Sequence, residues 1–146
     1  MNTVPSMIEA QLKKLFLHYI SAFKCYDLAN VKTCYTLPCT LHTPDKIAYL
    51  DNEQVFNQEF NDIFLVLKQA NTENIIATKA TYNINENLTV DVCIDWAFID
   101  NKGEVFADFT AFYHLINLDD TFKIISVVSH QIENSLELSH VLNITE

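Results

Sequence analysis

The chain contains no arginine, a single glycine and only three prolines. Each shortage excludes something. Nucleic-acid binders need a basic face to neutralise phosphates, and bidentate phosphate clamps use the guanidinium fork. Nine lysines stand against 19 acidic residues, a net charge of −10, so neither nucleic-acid binding nor attraction to an anionic membrane is expected. No apolar run approaches the roughly 18 residues of a membrane span. The opening Met1-Asn2-Thr3-Val4-Pro5-Ser6 lacks the basic and apolar regions of a secretory signal. The expected compartment is therefore the cytoplasm, where thiols stay reduced. Cys25, Cys34, Cys39 and Cys93 form no C-x-x-C pair and have no zinc-type spacing. All four are expected as small buried hydrophobes, and neither a metal nor a cofactor is expected. His42 with Asp45 makes half a metal site at most.

What is present is a chain of 146 residues, 49% of them hydrophobic, enough for one self-sufficient core. We expect a single domain over 1–146, with its core at about 6–131 and a polar tail at 132–146 lying on the surface or on a partner. Helical signals come first. Ser6-Met7-Ile8-Glu9 reads as a capping box, followed by the stripe Ile8, Leu12, Leu15, Phe16, Tyr19 and Phe23. Asp27 can cap a short second helix carrying Leu28, Val31, Cys34 and Tyr35. Leu37 to Asp51 reads as two short extended pieces broken at Thr43-Pro44-Asp45. A third helix starts at Asp51-Asn52-Glu53-Gln54, with Val55, Phe56, Phe60, Ile63, Phe64 and Leu67 on its apolar face.

From Ile75 onward the period becomes two. Strands are predicted over Ile75 to Glu86, along Val90 to Phe98, over Val105 to Leu118 and over Phe122 to Gln131. Asp100-Asn101-Lys102-Gly103-Glu104 is the clearest hairpin turn, its glycine free to take a positive φ. The fold class is α+β: a curved antiparallel sheet wrapped on three N-terminal helices, which leaves a cone with an open mouth.

This arrangement resembles the nuclear transport factor 2-like superfamily, with its cystatin-like cone, which includes ketosteroid isomerases, dehydratases and polyketide (SnoaL-like) cyclases. The local likeness to ketosteroid isomerase lies in His18-Tyr19-Ile20-Ser21-Ala22-Phe23, Asp27-Leu28, Thr43-Pro44 and Lys123-Ile124-Ile125-Ser126. That chemistry uses a carboxylate base, with a tyrosine and a protonated acid on the enolate oxygen. The resemblance sets Tyr19 at the tyrosine position, Thr43 at the base and His114 near the second acid. A neutral hydroxyl is no base near pH 7, so Thr43 speaks against steroid isomerisation. Asp45 points the same way as Thr43 if that segment is extended. The resemblance also implies a homodimer through the sheet face, with Phe109, Ala111, Tyr113, Val128 and the tail as candidates.

Which residues line the cone depends on the hairpin register. A three-residue loop sets Trp96 opposite Asp108, so that Asp108, Thr110, Phe112 and His114 face the cavity. A four-residue loop sets Asp95 opposite Asp108 and turns Val105, Ala107, Phe109, Ala111 and Tyr113 inward instead. Gly103 in the third loop position favours the first. The expected ligand-binding set is then Tyr19, Phe23, Thr43, Phe56, Phe60, Trp96, Asp108, Thr110, Phe112 and His114. Tyr19, Asp45, Asp108 and His114 are the candidates for acid–base chemistry. Asp91 and Asp95 are expected on a solvated face or dimer rim, and His130 and His42 at the surface or rim. Three functions stay open: a cone binding a small apolar ligand; an isomerase, dehydratase or cyclase; or a homodimeric interaction module.

Overall fold

The computed structural model describes residues 4–144, with side chains from Ser6 onward. The first three residues, part of the signal-sequence reading, and the last two of the tail lie outside it. Helix α1 (Val4–Lys24) is followed by α2 (Leu28–Thr33), β1 (Tyr35–His42), β2 (Ile47–Leu50) and α3 (Glu53–Gln69). The long strands β3 (Thr72–Ile84), β4 (Val90–Asp100), β5 (Val105–Leu118) and β6 (Thr121–His130) come next, then a short β7 (His140–Val141). The seven strands form one sheet in the order β2-β1-β6-β5-β4-β3-β7. Every pairing is antiparallel except β1 with β6. Among the described residues no helix is long and apolar enough to cross a membrane.

The helix starts follow local chemistry. Asp27 accepts from the Asn30 amide at 3.1 Å and Asn52 from the Val55 amide at 2.9 Å, each satisfying a free first-turn donor. The second helix stops at Thr33, so Cys34 and Tyr35 fall outside it, and Tyr35 opens β1. The predicted start at Ser6 lies inside the helix: α1 begins at Val4, which sets Pro5 in a first turn that needs no proline N–H. With one glycine available, the chain uses other residues where left-handed backbone is required. Tyr26 ends α1 at φ 53°, Asn71 follows α3 at φ 56°, and Asp119-Asp120 turn β5 into β6 at φ 53° and 64°.

The β4–β5 hairpin decides what faces the helices. Its tip is the predicted three-residue loop: Asp100 N–H bonds Glu104 O at 2.9 Å, and Gly103 adopts φ 80°. One residue further the register shifts. Ile99 pairs with Val105, but Phe98 pairs with Ala107, which leaves Phe106 as an extra residue on β5. Beyond this bulge Trp96 stands opposite Phe109 and Ala97 opposite Asp108, so neither predicted register holds. The physical reason is burial. The bulge turns the apolar set Phe109, Ala111, Tyr113 and Leu115 toward the helices and Asp108, Thr110, Phe112 and His114 to the outer face. The loop chemistry was legible, and the binary pattern overrode its register.

The outer face is partly covered. The tail, expected on the surface or a partner, crosses the sheet and adds β7 to the edge of β3, with Leu142 and Ile144 buried in the core. Leu142 N–H bonds Ala80 O at 2.8 Å, which protects an otherwise open strand edge. Asp95, expected in solvent, is buried under this segment, its carboxylate accepting from the Ser135 hydroxyl at 2.7 and 2.9 Å. Of the four cysteines, Cys34, Cys39 and Cys93 are buried as expected, whereas Cys25 is exposed. Val55, expected in the core, is 38% exposed at the start of α3.

Candidate functional site

Between α1, α3 and the inner sheet face lies a cavity of about 150 Å³, open at the mouth of the cone. Its wall is aromatic and aliphatic. Phe23, Phe60, Ile63 and Ile75 line the helical and β3 side, with Phe98, Phe109 and Val127 across from them. At the mouth stand His42, Thr43 and Ser129. None of the lining residues is a carboxylate or a lysine.

The polar end is a cluster of phenols. Tyr19 comes from α1, Tyr35 from the start of β1 and Tyr113 from the middle of β5, and all three line the cavity. The Tyr19 and Tyr35 hydroxyls are 3.3 Å apart, and the Tyr113 ring meets Tyr19 edge-on with 6.0 Å between centroids. The Trp96 indole N–H donates to the Tyr113 oxygen at 2.9 Å. Ring packing holds the phenols in place: Tyr19 stacks on Phe23 at 4.7 Å between centroids, and Phe16 meets Tyr113 edge-on at 5.1 Å. Burial pushes all three phenols well above the ordinary phenol value, so they remain protonated donors across the ordinary pH range. Proton counting gives the cluster its chemistry. Three O–H groups share one hydrogen bond among themselves, and the indole can only donate. Whichever way the protons point, at least one O–H is left for a guest.

The structure brings five of the expected ligand-binding residues together: Tyr19, Phe23, Thr43, Phe60 and Trp96 all line the cavity. Phe56 does not; it is fully buried behind Phe60, stacked on it at 4.5 Å. Asp108, Thr110, Phe112 and His114 are on the outer face for the register reason given above. There Asp108 is exposed, and Thr110 is buried against Cys93, its hydroxyl 3.3 Å from the thiol. Phe112 packs on His130, and His114 bonds Asp91 at 2.5 Å. Asp45 is exposed in the β1–β2 turn, its amide bonded to the Thr43 hydroxyl at 3.3 Å. The acid–base candidates Asp45, Asp108 and His114 are therefore not gathered with Tyr19. Phe109, Ala111 and Tyr113, expected on a dimer face, point into the core or cavity, while Val128 stays on the outer face. Sequence reasoning missed Tyr35 and His42 as lining residues, and it turned Tyr113 inward only in the four-residue register that it set aside. The alternation of Phe109, Ala111 and Tyr113 with polar neighbours was the signal for Tyr113.

This cone, with helices in its concavity, has a recognisable family. Residues 9–132 match the family model described as NTF2-like protein (DUF6841). The chain belongs to this family. Solved structures of the NTF2-like cone agree at the level of the fold. Aln2 from a Streptomyces species superposes with a TM-score of 0.71 at 7% identity, covering 91% of this chain and 95% of that one. A cystatin-like-fold protein of unknown function from Nostoc punctiforme gives 0.69 at 8% identity, covering 87% and 91%. A putative ketosteroid isomerase from Shewanella frigidimarina gives 0.63 at 11% identity, covering 80% and 92%. At these identities the likeness carries the NTF2-like fold and no activity. No curated protein matches the sequence significantly.

Proposed function

We propose that this NTF2-like protein binds a small, largely apolar molecule bearing one oxygen acceptor, of the carbonyl or phenol type. The observation that carries this reading is the phenol cluster: surplus O–H donors at the end of a cavity that is otherwise largely aromatic and aliphatic. Apolar cavities near 150 Å³ take guests about the size of benzene, and the open mouth lets a longer molecule project outward. A carboxylate or phosphate guest is disfavoured, because no lining residue carries a fixed positive charge.

Trp96 is the chain's one tryptophan and lines the cavity, so its fluorescence reports occupancy directly. Titration with 2-cyclohexenone and with 2-naphthol, alongside native mass spectrometry of the purified protein, tests the reading. The expected result is saturable quenching by both probes, with naphthalene, which lacks the oxygen acceptor, binding about fivefold or more weaker than 2-naphthol, the scale of one lost hydrogen bond to a buried donor. Fluorescence unresponsive to both probes, with no bound mass, would overturn it.

A second reading, acid–base catalysis on such a guest, is favoured by His42. It is the lining side chain whose ring nitrogens can both accept and donate a proton, and it stands beside Thr43 at the mouth. The phenols would then stabilise a developing oxyanion. Proton exchange α to the carbonyl of bound 2-cyclohexenone in D2O is expected for the wild type and lost in His42→Gln, with Trp96 quenching retained. Equal exchange in both proteins would remove His42 from any such role.

A further inference from the structure

Away from the cone, a surface hollow of about 360 Å³ lies between α1, the end of α2 and the β5–β6 turn. Two cations and a histidine meet there in a chain whose net charge is −10. Lys14 and His18 are one helical turn apart on α1, both exposed on the same face. Lys123 comes from β6 and donates to the backbone carbonyl of Thr33, which fixes its ammonium group at the wall. The Thr33 hydroxyl gives its proton to Asn30 O at 2.6 Å, so at 3.1 Å it must accept from His18 Nε2–H. The histidine ring is thereby held in place. Lys14 makes no hydrogen bond or ion pair with the described residues, whereas Lys32 and Lys46 pair with Glu53 and Glu59. Thr121 adds a hydroxyl to the lining, and Asp120 adds the one opposing charge.

We propose that this hollow binds a tetrahedral oxyanion, a sulfate or phosphate group carried by a small molecule. Lys14 and Lys123 supply charge from two separate elements, and Thr121 supplies a hydroxyl donor. The site is independent of the cone, which offers an anion no such partners. The long-range field of the acidic chain opposes the anion, so recognition is local and weakens as salt screens the lysines.

Inorganic sulfate is the probe, because its charge is constant across the working pH range. Two-dimensional NMR at low ionic strength follows the amides of the hollow and the His18 ring. The expected result is a saturable shift confined to these residues and absent with chloride at matched ionic strength. Lys14→Gln, an exposed change, is expected to weaken binding about three- to tenfold, the scale of one close charge near a surface. Asp120→Asn removes the opposing carboxylate and is expected to tighten binding by a similar factor. Its φ of 64° suits asparagine at least as well as aspartate, so the turn is retained. A shift that rises linearly with sulfate, or an affinity unchanged in both variants, would overturn the proposal.

Discussion

The Trp96 indole donates to the Tyr113 phenol oxygen at 2.9 Å across the inner face of β4 and β5, and this pair anchors the polar end of the cone. The two residues lie on neighbouring strands but are not directly opposed: Trp96 faces Phe109, and Tyr113 faces Val92. Their bond therefore depends on the bulge at Phe106, which sets the inward face of β5.

Replacing Trp96 by Phe removes this donor while keeping much of the ring volume. Trp96 is 2% exposed, so the change leaves a small void and an under-satisfied phenol oxygen. The expected loss is about 1–3 kcal/mol, measured by urea unfolding followed through circular dichroism. A variant as stable as the wild type would mean that water replaces the indole.

The buried phenols give a signed pH dependence. Burial raises Tyr19, Tyr35 and Tyr113 well above their ordinary value. In the unfolded chain these groups ionise near pH 10, whereas the folded chain holds their protons. Their contribution to stability is fully present below about pH 10 and is lost as pH climbs through the folded values. Absorbance at 295 nm during alkaline titration is expected to show these three of the six tyrosines ionising only as the protein unfolds. Six tyrosines titrating together, with the circular dichroism unchanged, would contradict the buried cluster.

The single Ser135 hydroxyl is shared between the two oxygens of the Asp95 carboxylate, at 2.7 and 2.9 Å. Ser135→Ala leaves that carboxylate under the tail without its hydroxyl partner. The expected cost is about 1–3 kcal/mol in urea unfolding, with amide exchange rising first in residues 135–142. Exchange that stays slow there would show that β7 and Leu142 hold the tail without help.

Thiol reactivity should sort by position. Cys25 is exposed, whereas burial pushes the Cys34 and Cys39 thiols up to about 11. Iodoacetamide at pH 8 is expected to modify Cys25 first, the others following only on unfolding, as read by peptide mass spectrometry. Early modification of Cys34 or Cys39 would indicate local opening of β1.

Much of the fold was legible because it is written in local patterns. The caps at Asp27 and Asn52, the break at Pro44 and the turn at Gly103 each need only a few neighbouring residues. Half of the site was legible for the same reason: Tyr19, Phe23 and Phe60 lie on helical stripes whose buried face is fixed by periodicity. The strand-borne half was not. A single unpaired residue at Phe106 exchanges the two faces of β5, and turn chemistry carries no information about a bulge one residue beyond it.

The sequence by itself determined the order of elements up to β6, most of the apolar face of the two long helices, the exclusion of phosphate clamps built on arginine, and the α+β class. Those properties follow from spacing and composition, which are local. Only the tertiary structure decided that the cone is lined by phenols and not by Asp108 and His114, and that the tail closes the edge of β3 and covers Asp95. It also brought Lys14 and Lys123 to one hollow. These are matters of register and of distant segments meeting, and their free energy comes from burial across the whole sheet.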